Sequence, residues 1–160
     1  MPVNGTGLQG FLDYWLYGVV KTAEELGNAR VFLRAVQEDS IRKFLENERV
    51  SFGKPCDPLE LVRSYDRHLD AMGILEASDI DYRTEGEALE MTVGATCPYR
   101  SACNWLNDDG ATPPCFRAVA LSEVLRIAGR RRYEGKLRTF SVPCRLTFNP
   151  IGMEATDDGT

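Results

Sequence analysis

From Leu8 the apolar residues Phe11, Leu12, Trp15, Leu16 and Val19 recur at three- and four-residue steps, the spacing that lines one face of an α-helix. Gly27 is placed to end that helix. Asn28 can cap a second, running to about Asn47, with Phe32, Val36, Ile41 and Phe44 on its inner side. A third helix is announced by Asp57-Pro58-Leu59-Glu60, which combines a side-chain cap, proline at the first helical position and a carboxylate three residues after the cap; it runs to Met72 and Gly73. The period then changes. Ile80, Tyr82 and Thr84 alternate with polar neighbours, a turn follows at Gly86, and Leu89, Met91 and Val93 alternate again, the pattern of a β-hairpin.

From Pro98 to Pro113 the chain is rich in Asn, Asp, Gly and Pro and reads as a loop carrying Cys103 and Trp105. Connections longer than about 12 residues without secondary structure are usually functional or disordered, so this one is expected to be held by something it binds. A fourth helix is expected from near Pro114 to Gly129, with Phe116, Val119, Ala120, Val124 and Ile127 on one face, then strands over 132–142 and 144–149. The sum is a single α+β domain over 1–152. Its N-terminal helices pack on a four-stranded antiparallel sheet, with the Cys-bearing loop and the fourth helix between the two hairpins; 153–160 is expected to be a disordered acidic tail.

Composition narrows the function classes. With 43% hydrophobic and 27% charged residues in 160, the chain has a globular composition and enough length for one core. A net charge of −5 argues against general nucleic-acid binding, which depends on neutralising phosphates with Lys and Arg. The apolar stretch from Phe11 to Val20 lacks a basic leader and is interrupted by Asp13, so neither a signal peptide nor a membrane span is expected, and the cytoplasm is the expected location.

Cysteine usage is the strongest chemical signal. Cys97, Cys103, Cys115 and Cys144 fall in the C-terminal half, three of them beside a proline, while Cys56 lies alone in the turn Gly53-Lys54-Pro55-Cys56. In a reducing compartment four thiols stay available as ligands. A helix leading away from Cys115 and a strand returning to Cys144 bring those two ends together, and Cys115 falls in the first helical turn, where the dipole favours a thiolate. Tetrahedral thiolate coordination suits zinc or an iron–sulfur cluster. The spacing Cys-x5-Cys-x11-Cys-x28-Cys lacks the Cys-x-x-Cys knuckle of most structural zinc sites, which favours a [4Fe–4S] cluster over zinc. Inert buried thiols and thiol redox chemistry are the competing readings.

Other candidates carry less. His68, beside Arg67 and Asp70, has the setting of a partly exposed helix residue, and no nucleophile is spaced to work with it. Glu85 and Glu87 flank a turn. The basic run Arg126, Arg130, Arg131, Arg132, Lys136 and Arg138 can dock an anionic partner or complement a helix C-terminus. No phosphate-binding glycine loop and no catalytic base are evident, so enzymatic activity is left open.

The segment from Glu85 to Phe148 resembles the 4-vinyl-reductase domain family, small α+β ligand-binding domains related in fold to a subunit of vesicle-tethering complexes. The resemblance rests on Gly86-Glu87-Ala88-Leu89 leading into a strand, Cys97-Pro98-Tyr99 at its end, Pro114-Cys115-Phe116 opening a helix, Arg132-Tyr133-Glu134, and the closing Cys144-Arg145-Leu146-Thr147-Phe148. It implies a sensor of small hydrophobic molecules or an accessory protein of tetrapyrrole or one-carbon metabolism, in some members with a cysteine-bound metal. The zinc-binding members carry Glu-x-x-Cys-x7-Cys after the helix; here the strand offers Glu134 and Leu137 and only Cys144 matches, so Cys103 is expected to supply the missing thiolate. The expectation is therefore a metal- or cluster-binding sensory or accessory module held by Cys97, Cys103, Cys115 and Cys144. The alternatives are a metal-free hydrophobic or tetrapyrrole-like ligand sensor with Trp15, Phe116 and Tyr133 in its pocket, and an electron-transfer or enzyme subunit using the cluster. A protein partner or a second copy remains open.

Overall fold

In the computed structural model, which describes residues 8–52, 57–111 and 115–152, three helices come first: α1 (Leu8–Glu25), α2 (Ala29–Glu48) and α3 (Pro58–Ala71). A 3₁₀ turn at Ala77–Asp79 leads into the hairpin β1 (Ile80–Glu85) and β2 (Ala88–Val93). Then come α4 (Arg100–Asp108), α5 (Phe116–Gly129) and the hairpin β3 (Tyr133–Thr139) and β4 (Cys144–Pro150). The class is α+β, and the strands form one antiparallel sheet in the order β1-β2-β4-β3.

The sheet is two-faced for the reason its alternation announces. Leu89, Met91 and Val93 lie opposite Phe148, Leu146 and Cys144, and all six are buried on one side. Arg83, Glu90, Arg138 and Arg145 stand exposed on the strands. Gly86 turns the first hairpin with φ of 61°, a left-handed conformation that glycine adopts without strain.

Helix α5 is the central element. Phe116, Arg117, Ala118, Ala120, Leu121, Glu123, Val124 and Leu125 are all buried, so it is enclosed on more sides than the single stripe read from its spacing. It crosses β3 at Gly135, where a Cβ would stand 2.7 Å from the Ala118 carbonyl oxygen and 2.8 Å from the Phe148 ring, and where the Gly135 N–H donates to Ser122 Oγ at 3.1 Å. Helix α3 packs beside it through Leu61, Val62, Tyr65 and Leu69. Its start follows the sequence reading: Asp57 Oδ1 accepts from the Leu59 N–H at 3.0 Å and Pro58 sits in the first turn. Asn28, by contrast, takes the N-cap position of α2 without a side-chain hydrogen bond.

Three expectations are corrected. On α1 the face turned inward carries Asp13, Val20 and Ala23, while Phe11, Leu12 and Trp15 are 65%, 44% and 55% exposed. On α2 Leu33 and Ile41 are buried whereas Phe32 and Val36 point outward. The stretch expected as a loop contains α4, which buries Ala102 and Leu106 completely. Leu106 joins Val20, Ala23, Leu33 and Phe116 in a second apolar cluster between α1, α2, α4 and the start of α5. The acidic tail lies outside the described residues.

Gly135→Ala tests the α5–β3 contact. Alanine stiffens the unfolded chain by about 0.4–1 kcal/mol in the fold's favour, but overpacking costs about 1–3 kcal/mol, and here one of the crowded atoms is backbone. The variant is expected to unfold at lower urea concentration, and a midpoint at or above that of the unsubstituted protein would contradict this packing.

Candidate four-thiol site

The four cysteines singled out by sequence arrive from four different elements. Cys144 opens β4, paired with Val93 at the end of β2. Cys97 follows a turn secured by Asp79: the Gly94 N–H donates to the Asp79 carbonyl at 2.9 Å, and the Thr96 N–H and hydroxyl both donate to Asp79 Oδ2 at 2.8 Å. These bonds hold the Asp79 carboxyl below its ordinary value, with the Thr96 backbone bond contributing most. Glycine at 94 leaves room for this carboxylate, since a Cβ would fall 1.8 Å from Asp79 Oδ1 and push it off Thr96. Cys103 lies within α4. Cys115 is the N-cap of α5, one position before the helical turn in which it was expected.

All four line one small cavity of about 30 Å³ beneath the sheet, walled by apolar groups such as Val93, Phe116 and Leu146 and by two arginines, Arg100 and Arg117. All four are free thiols, three partly exposed and Cys144 buried. The four cysteines expected to converge thus share one cavity. Among the described residues no group of three His, Cys, Asp or Glu side chains is arranged around a common ion position, so closing a ligand set here takes side-chain movement. A cavity of this volume has room for one or two water-sized bodies as it stands. Cys56 lies outside the described residues.

Burial dominates the electrostatics. It pushes the Cys103 thiol up to about 12 and the Cys115 thiol up to about 11, and it raises Cys97 as well. For Cys115 the backbone N–H groups of Ala118 and Arg117 oppose that rise, the helix-start effect expected from its position, but desolvation wins. The neighbouring thiols repel one another's charge and raise Cys103 further. A thiolate set here is therefore stable only with a positive partner.

The arginines are the residues that sequence reading passed over. Arg117, 2% exposed, donates to Asp66 Oδ1, and Asp66 also accepts from the Tyr82 hydroxyl. Arg100 starts α4 and lines the cavity. Its Nη1 donates to the Ser141 carbonyl at 2.9 Å and to Cys144 Sγ at 3.2 Å, its Nη2 donates to the Gly94 carbonyl at 2.7 Å, and the Phe140 ring lies 6.0 Å from its guanidinium carbon. The Cys144 thiol itself donates to the Ser141 carbonyl at 3.1 Å. No sequence signal marked Arg100, because the segment it opens was read as irregular.

Helix α4 is tied to α1 rather than waiting for a ligand to order it. Trp105 stacks on Tyr14 with centroids 5.0 Å apart, the Tyr17 hydroxyl donates to Asp109, and Lys21 pairs with Asp109 at 3.5 Å. The remaining candidates fall elsewhere. His68 stands edge-on to Phe44 with centroids 5.9 Å apart, and its Nε2 is buried without a partner among the described residues. The basic run is largely engaged within the chain: Arg126 with Glu123, Arg131 with Glu87, Lys136 with Glu134, and Arg138 with the Thr147 hydroxyl. Trp15, Phe116 and Tyr133 do not share a pocket. Trp15 lines a groove between α1 and α2, Phe116 the thiol cavity, and Tyr133 a cleft between α2, α5 and β3.

Two outcomes follow. Cys103 and Cys115 keep their protons in the fold to higher pH than in the unfolded chain, so their contribution to stability is complete below the ordinary thiol value of 9.0 and disappears as pH rises to about 11–12. The urea midpoint of chelator-stripped protein should fall from pH 9 upward, and Cys103→Ser with Cys115→Ser should flatten the part of that fall below pH 10, the ordinary value of the tyrosines that burial also raises. Trp105→Ala should increase hydrogen exchange across 100–108 while leaving 116–129 protected, because only the former depends on the Tyr14 stack; equal protection in both would show that the stack is dispensable. No protein-family model, no curated protein and no solved structure matches the chain.

Proposed function

We propose that this protein is a sensory or accessory module of the 4-vinyl-reductase domain type that holds a [4Fe–4S] cluster through Cys97, Cys103, Cys115 and Cys144, and that it works in the cytoplasm, where thiols stay reduced. The observation that carries this reading is the convergence of those four thiols, from four separate elements, on one cavity with two guanidinium groups and otherwise largely apolar walls. The donors suit the group in their chemistry, since thiolates are the usual cluster ligands and the arginines bring positive charge, but the cavity of about 30 Å³ has to widen and the thiols have to turn to seat it. The missing Cys-x-x-Cys knuckle supports a cluster over zinc.

A bound cluster supplies one-electron chemistry, and the chain's own residues do the rest. Val93, Phe116 and Leu146 exclude water, and Cys115 and Cys144, at the ends of α5 and β4, give two fixed points. Cys97 sits on the segment that leads into α4 and Cys103 within α4, which Trp105 and Asp109 couple to α1. A change at the thiols therefore reaches the α1–α2 groove of about 580 Å³ lined by Trp15, Leu26 and Phe32, the route a sensor needs. No helix among the described residues is long and apolar enough to cross a membrane.

Protein purified without oxygen, or reconstituted with iron and sulfide, should be brown and contain iron and acid-labile sulfide in equal amounts. Serine at any one of the four cysteines should lower both at least several-fold, and His68→Gln should leave them within tenfold. Colourless protein with stoichiometric zinc would replace the cluster by a zinc site. A metal-free preparation carrying an apolar molecule would move the function to the α1–α2 groove.

A further inference from the structure

We propose that the outward face of α1 is the seat of a second copy of this chain, the two α1 helices crossing antiparallel about a twofold axis beside Gly18. Three observations lead to it. Phe11, Trp15, Gly18 and Thr22 follow one another at three- and four-residue steps, and Leu26, whose N–H still donates to the Thr22 carbonyl at 3.1 Å, continues the line. That is the spacing of a buried face, yet Leu26 is 73% exposed and Phe32, which lines the same groove from α2, is 49% exposed. The charged residues of the helix, Asp13, Lys21, Glu24 and Glu25, all fall off this stripe. Gly18 is the third observation. Glycine weakens a helix interior, and no atom lies within 4 Å of where its Cβ would stand, so nothing within the protomer makes use of the missing side chain.

Area and symmetry identify the occupant. Phe11, Leu12, Tyr14, Trp15, Leu26 and Phe32 leave roughly 700 Å² open, counting aromatic side chains at about 150–250 Å² each. This exceeds the about 300–600 Å² of the largest apolar patch on an ordinary monomer and comes close to the about 800 Å² that each partner brings to a standard interface. In an isologous contact residue i meets j while j meets i. The step from Phe11 to Trp15 equals that from Thr22 to Leu26. An antiparallel crossing centred between Gly18 and Val19 therefore sets Trp15 over Thr22 and Phe11 over Leu26 at once, large side chains of each copy against the groove of the other, with Gly18 giving the close approach. A lipid surface would call for lysine or arginine beside the apolar stripe; the one lysine of α1, Lys21, is already paired with Asp109 at 3.5 Å and stands near Glu24 and Glu25. Two copies of net charge −5 repel each other, so apolar contact supplies the association and salt strengthens it.

The test is sedimentation of the full chain over a range of concentrations, at about 0.05 M and about 0.5 M sodium chloride. The unsubstituted protein is expected to be dimeric above roughly 10 µM and to associate no less tightly at the higher salt. Gly18→Leu adds apolar surface and favours the helix, so it would promote indiscriminate sticking, but it should weaken this dimer at least tenfold. Trp15→Glu and Thr22→Lys should each weaken it at least tenfold, and the double variant should return to within tenfold of the unsubstituted protein, because the opposite charges then meet across the axis. Circular dichroism checks that each variant stays folded, and Gly18→Leu carries the test if Trp15→Glu does not. A monomer at every concentration overturns the proposal, whether the face then binds lipid vesicles, carries a small apolar molecule or stays open. A dimer untouched by Gly18→Leu, or a double variant no tighter than its single parents, overturns it as well. The measurement reads the same in chelator-stripped protein, so the dimer stands or falls apart from the cluster reading.

Discussion

The carboxylate of Asp66, 2% exposed on α3, accepts hydrogen bonds from Arg117 on α5 and from the Tyr82 hydroxyl on β1, and this buried junction joins the two inner helices to the sheet. A charge at that depth is tolerable only because its partners are built in: removing one side of a buried ion pair typically costs about 3–5 kcal/mol, since the other charge is left without water or a counter-ion. The pair therefore contributes geometry more than net stability. It fixes the rotation of α5 about its own axis, and with that rotation fixed Cys115, two residues before Arg117, is aimed at the end of β4, where Cys144 begins.

From this junction outward the thiol site has two parts of different firmness. Cys115 and Cys144 stand at the starts of elements that belong to the main core, which gathers α3, α5 and all four strands. Cys97 also packs against that core, after the Asp79-bound turn, whereas Cys103 belongs to the smaller cluster around α4 and α1. Segments with fewer buried contacts open more readily than the core to which they are attached.

The apolar surface of α1 and α2 has the same origin. The large side chains Phe11, Trp15, Leu26, Val31 and Phe32 face outward, while the smaller Val20 and Ala23 are turned in against Leu106 and Phe116. Small residues allow α1 to lie close to α4, and Trp15, Leu26 and Phe32 are left to line the groove between the two N-terminal helices. Close approach to α4 is what brings Tyr14 onto Trp105, so the helix that carries Cys103 is secured at the expense of apolar exposure elsewhere.

Period and turn chemistry in the sequence were enough to set the order of the elements other than α4, the cap of α3, the Gly86 hairpin, the sheet residues facing inward and the nearness of the four cysteines, because these depend on neighbours within a few positions or on chain length between them. Three things were decided only by tertiary structure. On α1 the spacing pointed to the face of Phe11, Leu12 and Trp15, and contact with Leu106 and Phe116 turned the face of Val20 and Ala23 inward instead. Helix α4 spans nine residues with Asn104, Asn107 and Asp108 among them, too short and too polar to be stable alone; the burial of Ala102 and Leu106 makes it helical. Finally, no spacing rule places Arg100 over Cys144, 44 residues away, or Asp66 against Arg117, 51 residues away, because such pairs exist only after the helices have packed on the sheet and removed the water that would otherwise solvate each charge.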